Sequence, residues 1–166
     1  MVPIRRMLTE VPRPALVLGL AGLIPFAACA VAVWTSSPNV QVEGVGLLLT
    51  YAAVILTFLG GVHWGRALAG EHAGEQAEER SGDLNWMRLG WSVTPSLIAW
   101  IALRMSPGFT IIVFIAAFAV AFLVDRHAVR AGFFPDWYLP LRKVLTLGVM
   151  ACLIATLAPF TIGAEI

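Results

Sequence analysis

Five apolar runs, each close to the length that crosses a bilayer, occupy most of this chain: 15–34, 44–66, 86–103, 107–124 and 141–161. A helix rises about 1.5 Å per residue, so roughly 20 apolar residues cover a hydrocarbon core about 30 Å thick. Backbone polar groups inside lipid must be satisfied within the chain, which makes such runs helices. The expected fold is therefore all-α, an integral membrane bundle of five transmembrane helices with residues 1–166 as one membrane domain. The chain is 59% hydrophobic and 13% charged, against about a quarter charged in a soluble domain. That difference excludes an ordinary soluble fold.

The basic residues orient the bundle. Arg5, Arg6, Arg13, Arg66, Arg80, Arg88, Arg126, Arg130, Arg142 and Lys143 fall on one side, and only Arg104 on the other. Basic residues concentrate in cytoplasmic loops, so the N-terminus is placed inside and the C-terminus outside. Trp34 and Trp100 then mark the outer interface, and Trp64, Trp86, Trp91 and Trp137 the inner one. Phe26-Ala-Ala-Cys29 faintly resembles a lipoprotein cleavage site, but a bulky Phe is unfavourable there and a retained helix is expected.

Breaks and turns are equally legible. Pro25 interrupts the first run and frees the carbonyl of Ala21, and Pro95 does the same to the third. Residues 35–43 read as a short loop through Ser36-Ser-Pro-Asn39, residues 67–85 as the one sizeable hydrophilic segment, and 125–136 as a polar loop. Ser106 is placed to cap the fourth helix, with Pro107 in its first turn.

The second run closes on Phe58-Leu-Gly-Gly-Val-His-Trp-Gly-Arg66. Gly60 and Gly61 strip side chains from one side of the helix, and Gly61 and Gly65 stand four apart, a spacing that admits a neighbouring helix backbone. Gly60, Gly61, Gly65 and Pro95 are the expected packing positions. Polar residues gather near the inner face: His63, Trp64 and Arg66 close the second run, and Arg88, Ser92 and Ser96 form a stripe at the start of the third. Asp125 ends the fourth run, while Arg142 and Thr146 open the fifth. Together they would line an inward-facing recess, or else form an ordinary layer of solvated helix ends with snorkelling arginines. The fourth and fifth runs are joined by a short connection, so they should be antiparallel neighbours. That places Arg142 beside Asp125, with Arg66 and Arg88 as alternatives if the helices pack in another order, and a carboxylate at that depth calls for such a partner.

His63 is open to two readings, a proton, metal, haem or hydroxylated-ligand contact and a packing histidine bonded to the next helix. Pairing with His127 around a haem iron is disfavoured because His127 lies outside the apolar run. His72, Glu75 and Glu79 share a face if their segment is helical, but lack further ligands and read as a solvated acidic helix. Cys29 and Cys152 lie inside apolar runs without the C-x-x-C spacing of a redox or zinc site. No cofactor, no metal site and no catalytic residue is expected. A net charge of +1 with no basic cluster points away from nucleic acid.

Several pieces together resemble a known family, the domain of unknown function numbered 3429. They are Gly22-Leu-Ile-Pro-Phe26, the stretch Tyr51 to Gly65 and Ser92-Val-Thr-Pro-Ser96, with Asp125-Arg126, Trp137-Tyr-Leu139 and Leu141-Arg142. The resemblance implies an integral protein of a bacterial cytoplasmic membrane, or of the mitochondrial inner membrane in a eukaryote. It assigns no role to any residue.

Three functions remain, in order. The first is a non-catalytic assembly, stabilising or lipid-interacting helper, favoured by short loops, small-residue helix faces and the lack of a catalytic motif. Its partners would be the lipid bilayer and a larger membrane complex. The second is a small transporter or channel using the polar recess. The third is a redox or lipid-modifying enzyme centred on His63.

Overall fold

The computed structural model describes residues 10–70 and 81–162. The described residues form α1 (Arg13–Ala21), α2 (Ile24–Thr35), α3 (Pro38–Gly70), α4 (Ser81–Ala102), α5 (Pro107–Arg130) and α6 (Tyr138–Ile162), so the fold is all-α. Four rods are long and apolar enough to cross a membrane: Arg13–Thr35, Pro38–Ala69, Pro107–Arg130 and Tyr138–Pro159. In α4 the apolar stretch is only Leu89–Ala102, short of the roughly 20 residues a span requires. Among the described residues four rods thus meet the length and composition of a span, and α4, with its shorter apolar stretch, packs against α3 and α5.

α1 and α2 are one rod broken at Gly22-Leu23. Pro25 has no N–H to return to the Ala21 carbonyl, so the helix cannot run straight through. The chain tightens, Leu23 N–H bonding three residues back to Leu20 O at 3.0 Å, and restarts with Pro25 in the tolerated first turn of α2. The Tyr51 hydroxyl, on α3, donates to the Gly22 carbonyl at 3.2 Å, supplying a partner at the break.

Several helices outrun their apolar cores. α3 begins at Pro38 and α5 continues to Arg130, so the loops expected over 35–43 and 125–136 shrink to 36–37 and 131–137. Hydrophilic residues at a helix end are no obstacle to helix; they only leave the lipid. The Ser106 side chain makes no cap hydrogen bond, contrary to expectation. Instead the Thr110 hydroxyl reaches the Ala102 carbonyl at 2.7 Å and ties the start of α5 to the end of α4.

α3 packs against α2, α4 and α5, while α6 packs against α5, α2 and α1. The core sits where α2, α3, α5 and α6 converge, on Phe26, Leu48, Leu56, Phe114, Phe118 and Leu153. Phe26 is its hub, edge-on to Tyr51 at 5.1 Å and to Phe118 at 6.4 Å between ring centroids. A smaller cluster of Ala128, Val129 and Phe134 closes the end of the bundle that carries most of the basic residues.

Candidate functional site

The buried polar centre is built around Asp125. Its carboxylate falls on the inward face of α5, 1% exposed, one turn beyond Ala121 on the same buried stripe. Arg142 on α6 donates from Nε to Oδ2 at 2.5 Å, and His63 on α3 meets Oδ1 through Nε2 at 2.8 Å. An ionised carboxylate can only accept, so Nε2 of His63 carries the hydrogen. The Tyr138 hydroxyl is a further hydrogen-bond partner of Asp125. A carboxylate this deep is costly unless each oxygen is paired, and α3 and α6 supply the partners. The Asp125–Arg142 pairing is the one that antiparallel adjacency of their runs leads one to expect.

The connection from α5 to α6 folds back over this group. Gly132 takes φ +77°, Gly132 N–H bonds Val129 O at 3.0 Å, and Phe133 N–H bonds Ala128 O at 2.9 Å. That is a Schellman ending, which needs a residue free of a Cβ penalty at the left-handed position. The reversal lays the Phe134 ring edge-on to His63 at 5.1 Å and against Tyr138 at 4.8 Å. It also turns the Phe133 carbonyl toward Arg66, whose Nε donates to it at 2.6 Å. Arg66 is exposed and holds the lid from outside, whereas Arg142 is buried beneath it.

Beside the ion group lies an apolar cavity of about 380 Å³. It opens because α1, past the break, packs on α6 and leaves a gap toward α3. Its walls are Ala15, Leu18 and Gly19 from α1, Ile55, Phe58 and Val62 from α3, and the α6 face from Tyr138 to Val149. Arg142 and Thr146 are the polar residues set in the deeper α6 wall. Arg142 Nη2 and Thr146 Oγ1 are both buried there without a hydrogen-bond partner.

The candidates read from the sequence therefore separate. His63, Asp125 and Arg142 come together, with Arg66 at the lid. Trp64 is exposed on the outer face. Ser92 is buried, but its backbone faces Gly60, and Ser96 is half-buried farther along the same helix. The Arg88 side chain lies outside the described residues, as do His72, Glu75 and Glu79. His127 is exposed and His63 is engaged by Asp125, so the two do not face a common site. Among the described residues no group of three or more His, Cys, Asp or Glu side chains is placed to hold a metal.

The glycine expectation needs correcting. A Cβ at Gly60 would collide with the Ser92 carbonyl oxygen and come within 3.4 Å of Pro95 Cδ, whereas at Gly61 or Gly65 it would meet nothing within 4 Å. The close helix approach is Gly60 on the turn of α4 held by Pro95; Gly61 and Gly65 face outward. Sequence reasoning also missed Phe134 and Tyr138. The signal was present in Arg130-Ala-Gly132, a basic last turn followed by glycine, which marks a helix stop and a chain reversal.

A family model described as protein of unknown function (DUF3429) matches residues 11–158. The chain is 32% identical over 155 residues to transmembrane protein 69 of Xenopus tropicalis, covering 92% of this chain and 56% of that one. It is 27% identical over 150 residues to transmembrane protein 69 of Mus musculus, covering 90% and 58%. The chain thus spans a little over half the length of these curated relatives. No solved structure matches it.

Proposed function

This chain belongs to the DUF3429 family of multi-pass membrane proteins, and from that premise we propose that it acts as a non-catalytic, lipid-interacting helper of an inner membrane. The observation that carries this reading is the cavity between α1, α3 and α6, walled almost wholly by apolar side chains and bordered by exposed Leu18 and Phe58. A site with such walls takes hydrocarbon rather than a soluble metabolite. The ion group supports a structural role beside it: Asp125 is saturated by His63 and Arg142, and all three ionisable groups are engaged with one another rather than presented as a base or nucleophile.

In this reading α4 crosses as a fifth span, with the N-terminus inside and the C-terminus outside. The support is the concentration of Arg66, Arg126, Arg130, Arg142 and Lys143 at one end of the bundle. The membrane is the bacterial cytoplasmic membrane, or the mitochondrial inner membrane in a eukaryotic setting.

The test is lipid retention. Protein purified in mild detergent should carry a stoichiometric amount of lipid, counted by mass spectrometry after extraction, through washing that strips a bulk annulus. Loss of all lipid under that washing argues against the proposal. A transport role draws on the buried His63–Asp125 contact, and solute flux in proteoliposomes above the protein-free rate would shift the reading there.

A further inference from the structure

We propose that the cavity holds one acyl chain of a glycerophospholipid from the surrounding leaflet, whose ester or phosphate oxygen accepts hydrogen bonds from Arg142 Nη2 and the Thr146 hydroxyl. This rests on the lipid-interacting reading and gives it a ligand class and two contact residues.

The two donors are the first argument. Buried polar groups are almost always paired, and an unpaired one calls for an explanation. Arg142 is 5% exposed and Thr146 4%, both line the cavity, and Nη2 and Oγ1 lack a partner. Thr146 also departs from a habit seen elsewhere in the bundle. Thr35, Thr50, Thr94 and Thr156 each donate to the carbonyl four residues back, at 2.8 to 2.9 Å, and Thr110 donates to the Ala102 carbonyl. Thr146 has the same acceptor four residues back, the Arg142 carbonyl, and does not use it. Its hydroxyl is free for something else, one turn from the free edge of a guanidinium.

Charge complementarity sets the head. Asp125 occupies the Nε edge of Arg142, so Nη2 is the positive edge left over, and it matches an oxygen acceptor bearing negative charge. The remaining wall is apolar, which excludes a bare inorganic anion and requires a hydrocarbon tail on the same molecule.

The length and opening set the rest. On α6 the wall runs from Tyr138 to Val149, about 17 Å of helix. That compares with about 15 Å for half of a 30 Å hydrocarbon core, one leaflet. Trp137 and Tyr138 line the cavity at the start of α6, near the basic end of the bundle, as aromatic residues do at the headgroup level. The volume, about 380 Å³, holds one chain rather than a whole two-chain lipid. Leu18 and Phe58 line the cavity yet are 72% and 63% exposed, so it opens sideways and the second chain can stay in the bilayer.

The experiment is native mass spectrometry of delipidated full-length protein titrated with 1-palmitoyl-2-oleoyl phosphatidylglycerol, and in a parallel arm with palmitate. Wild type should saturate at one phosphatidylglycerol per chain. Thr146→Val, which removes the donor and nearly keeps the shape, should weaken binding roughly 3- to 10-fold, as loss of one hydrogen bond does. Thr156→Val should bind as wild type, because Thr156 already donates to the Cys152 carbonyl and stands outside the cavity. Thermal unfolding of lipid-free Thr146→Val should match or exceed wild type, since the variant removes an unpaired buried hydroxyl. Unchanged affinity in Thr146→Val overturns the contact assignment and leaves the lipid-interacting reading standing. Palmitate binding with no phosphatidylglycerol binding overturns the lipid class. No lipid bound by wild type in either arm overturns both the inference and the reading beneath it.

Discussion

The carbonyl oxygen of Ser92 lies where a side chain at residue 60 would have to go. Gly60 on α3 and the turn of α4 that carries Pro95 are therefore in backbone contact, and this contact holds α4, with its short apolar stretch, against the longest of the described helices.

Gly60→Ala should lower stability by about 1–3 kcal/mol, because a methyl forced against backbone moves the whole helix rather than a side chain. Gly61→Leu should unfold close to wild type. The check is thermal unfolding in detergent by size-exclusion fluorescence. The reverse order, with Gly61→Leu damaging and Gly60→Ala neutral, would mean that α3 is rotated from the arrangement described.

Asp125 and Arg142 should prove coupled. Asp125→Asn or Arg142→Gln alone strands a buried charge and should cost about 3–5 kcal/mol. The double variant should cost clearly less than the sum, with a coupling of about 0.5–3 kcal/mol. A double-mutant cycle on unfolding free energies decides this, and strict additivity would refute it. His63→Ala should cost less than either single change, since Arg142 and Tyr138 still hold the carboxylate.

Tyr51→Phe should be mild and specific. It keeps the ring packed on Phe26 and removes only the hydroxyl that bonds the Gly22 carbonyl. The expected loss is about 0.5–1.5 kcal/mol, read as a lower midpoint of thermal unfolding. No change would show that water or lipid serves that carbonyl equally well.

For the topology, a reporter fused after Ile166 should signal from the periplasm or intermembrane space, while one placed in the hydrophilic segment at 67–85 should signal from the opposite side. A cytoplasmic signal at the C-terminus would refute the five-span topology.

Length and hydropathy alone determined that this chain is a helical membrane bundle, because an apolar run of this size in lipid has only the helix to satisfy its backbone. Sequence also gave the Asp125–Arg142 pair, since a short connection makes consecutive helices neighbours and a deep carboxylate needs a cation. It marked the break at Pro25 as well, because a missing N–H is a local property. What tertiary structure alone decided was rotation. A helix pattern spreads Gly60, Gly61 and His63 over about 160° of arc but does not say which part faces a neighbour, and a turn of about 100° per residue separates the glycine that touches backbone from the one that faces outward. Whether His63 reaches Asp125, whether Phe134 folds over both, and where α1 parts from α3 depend on how the helices settle against one another. Those contacts join residues as far apart as 63 and 125, and no local rule carries across that separation.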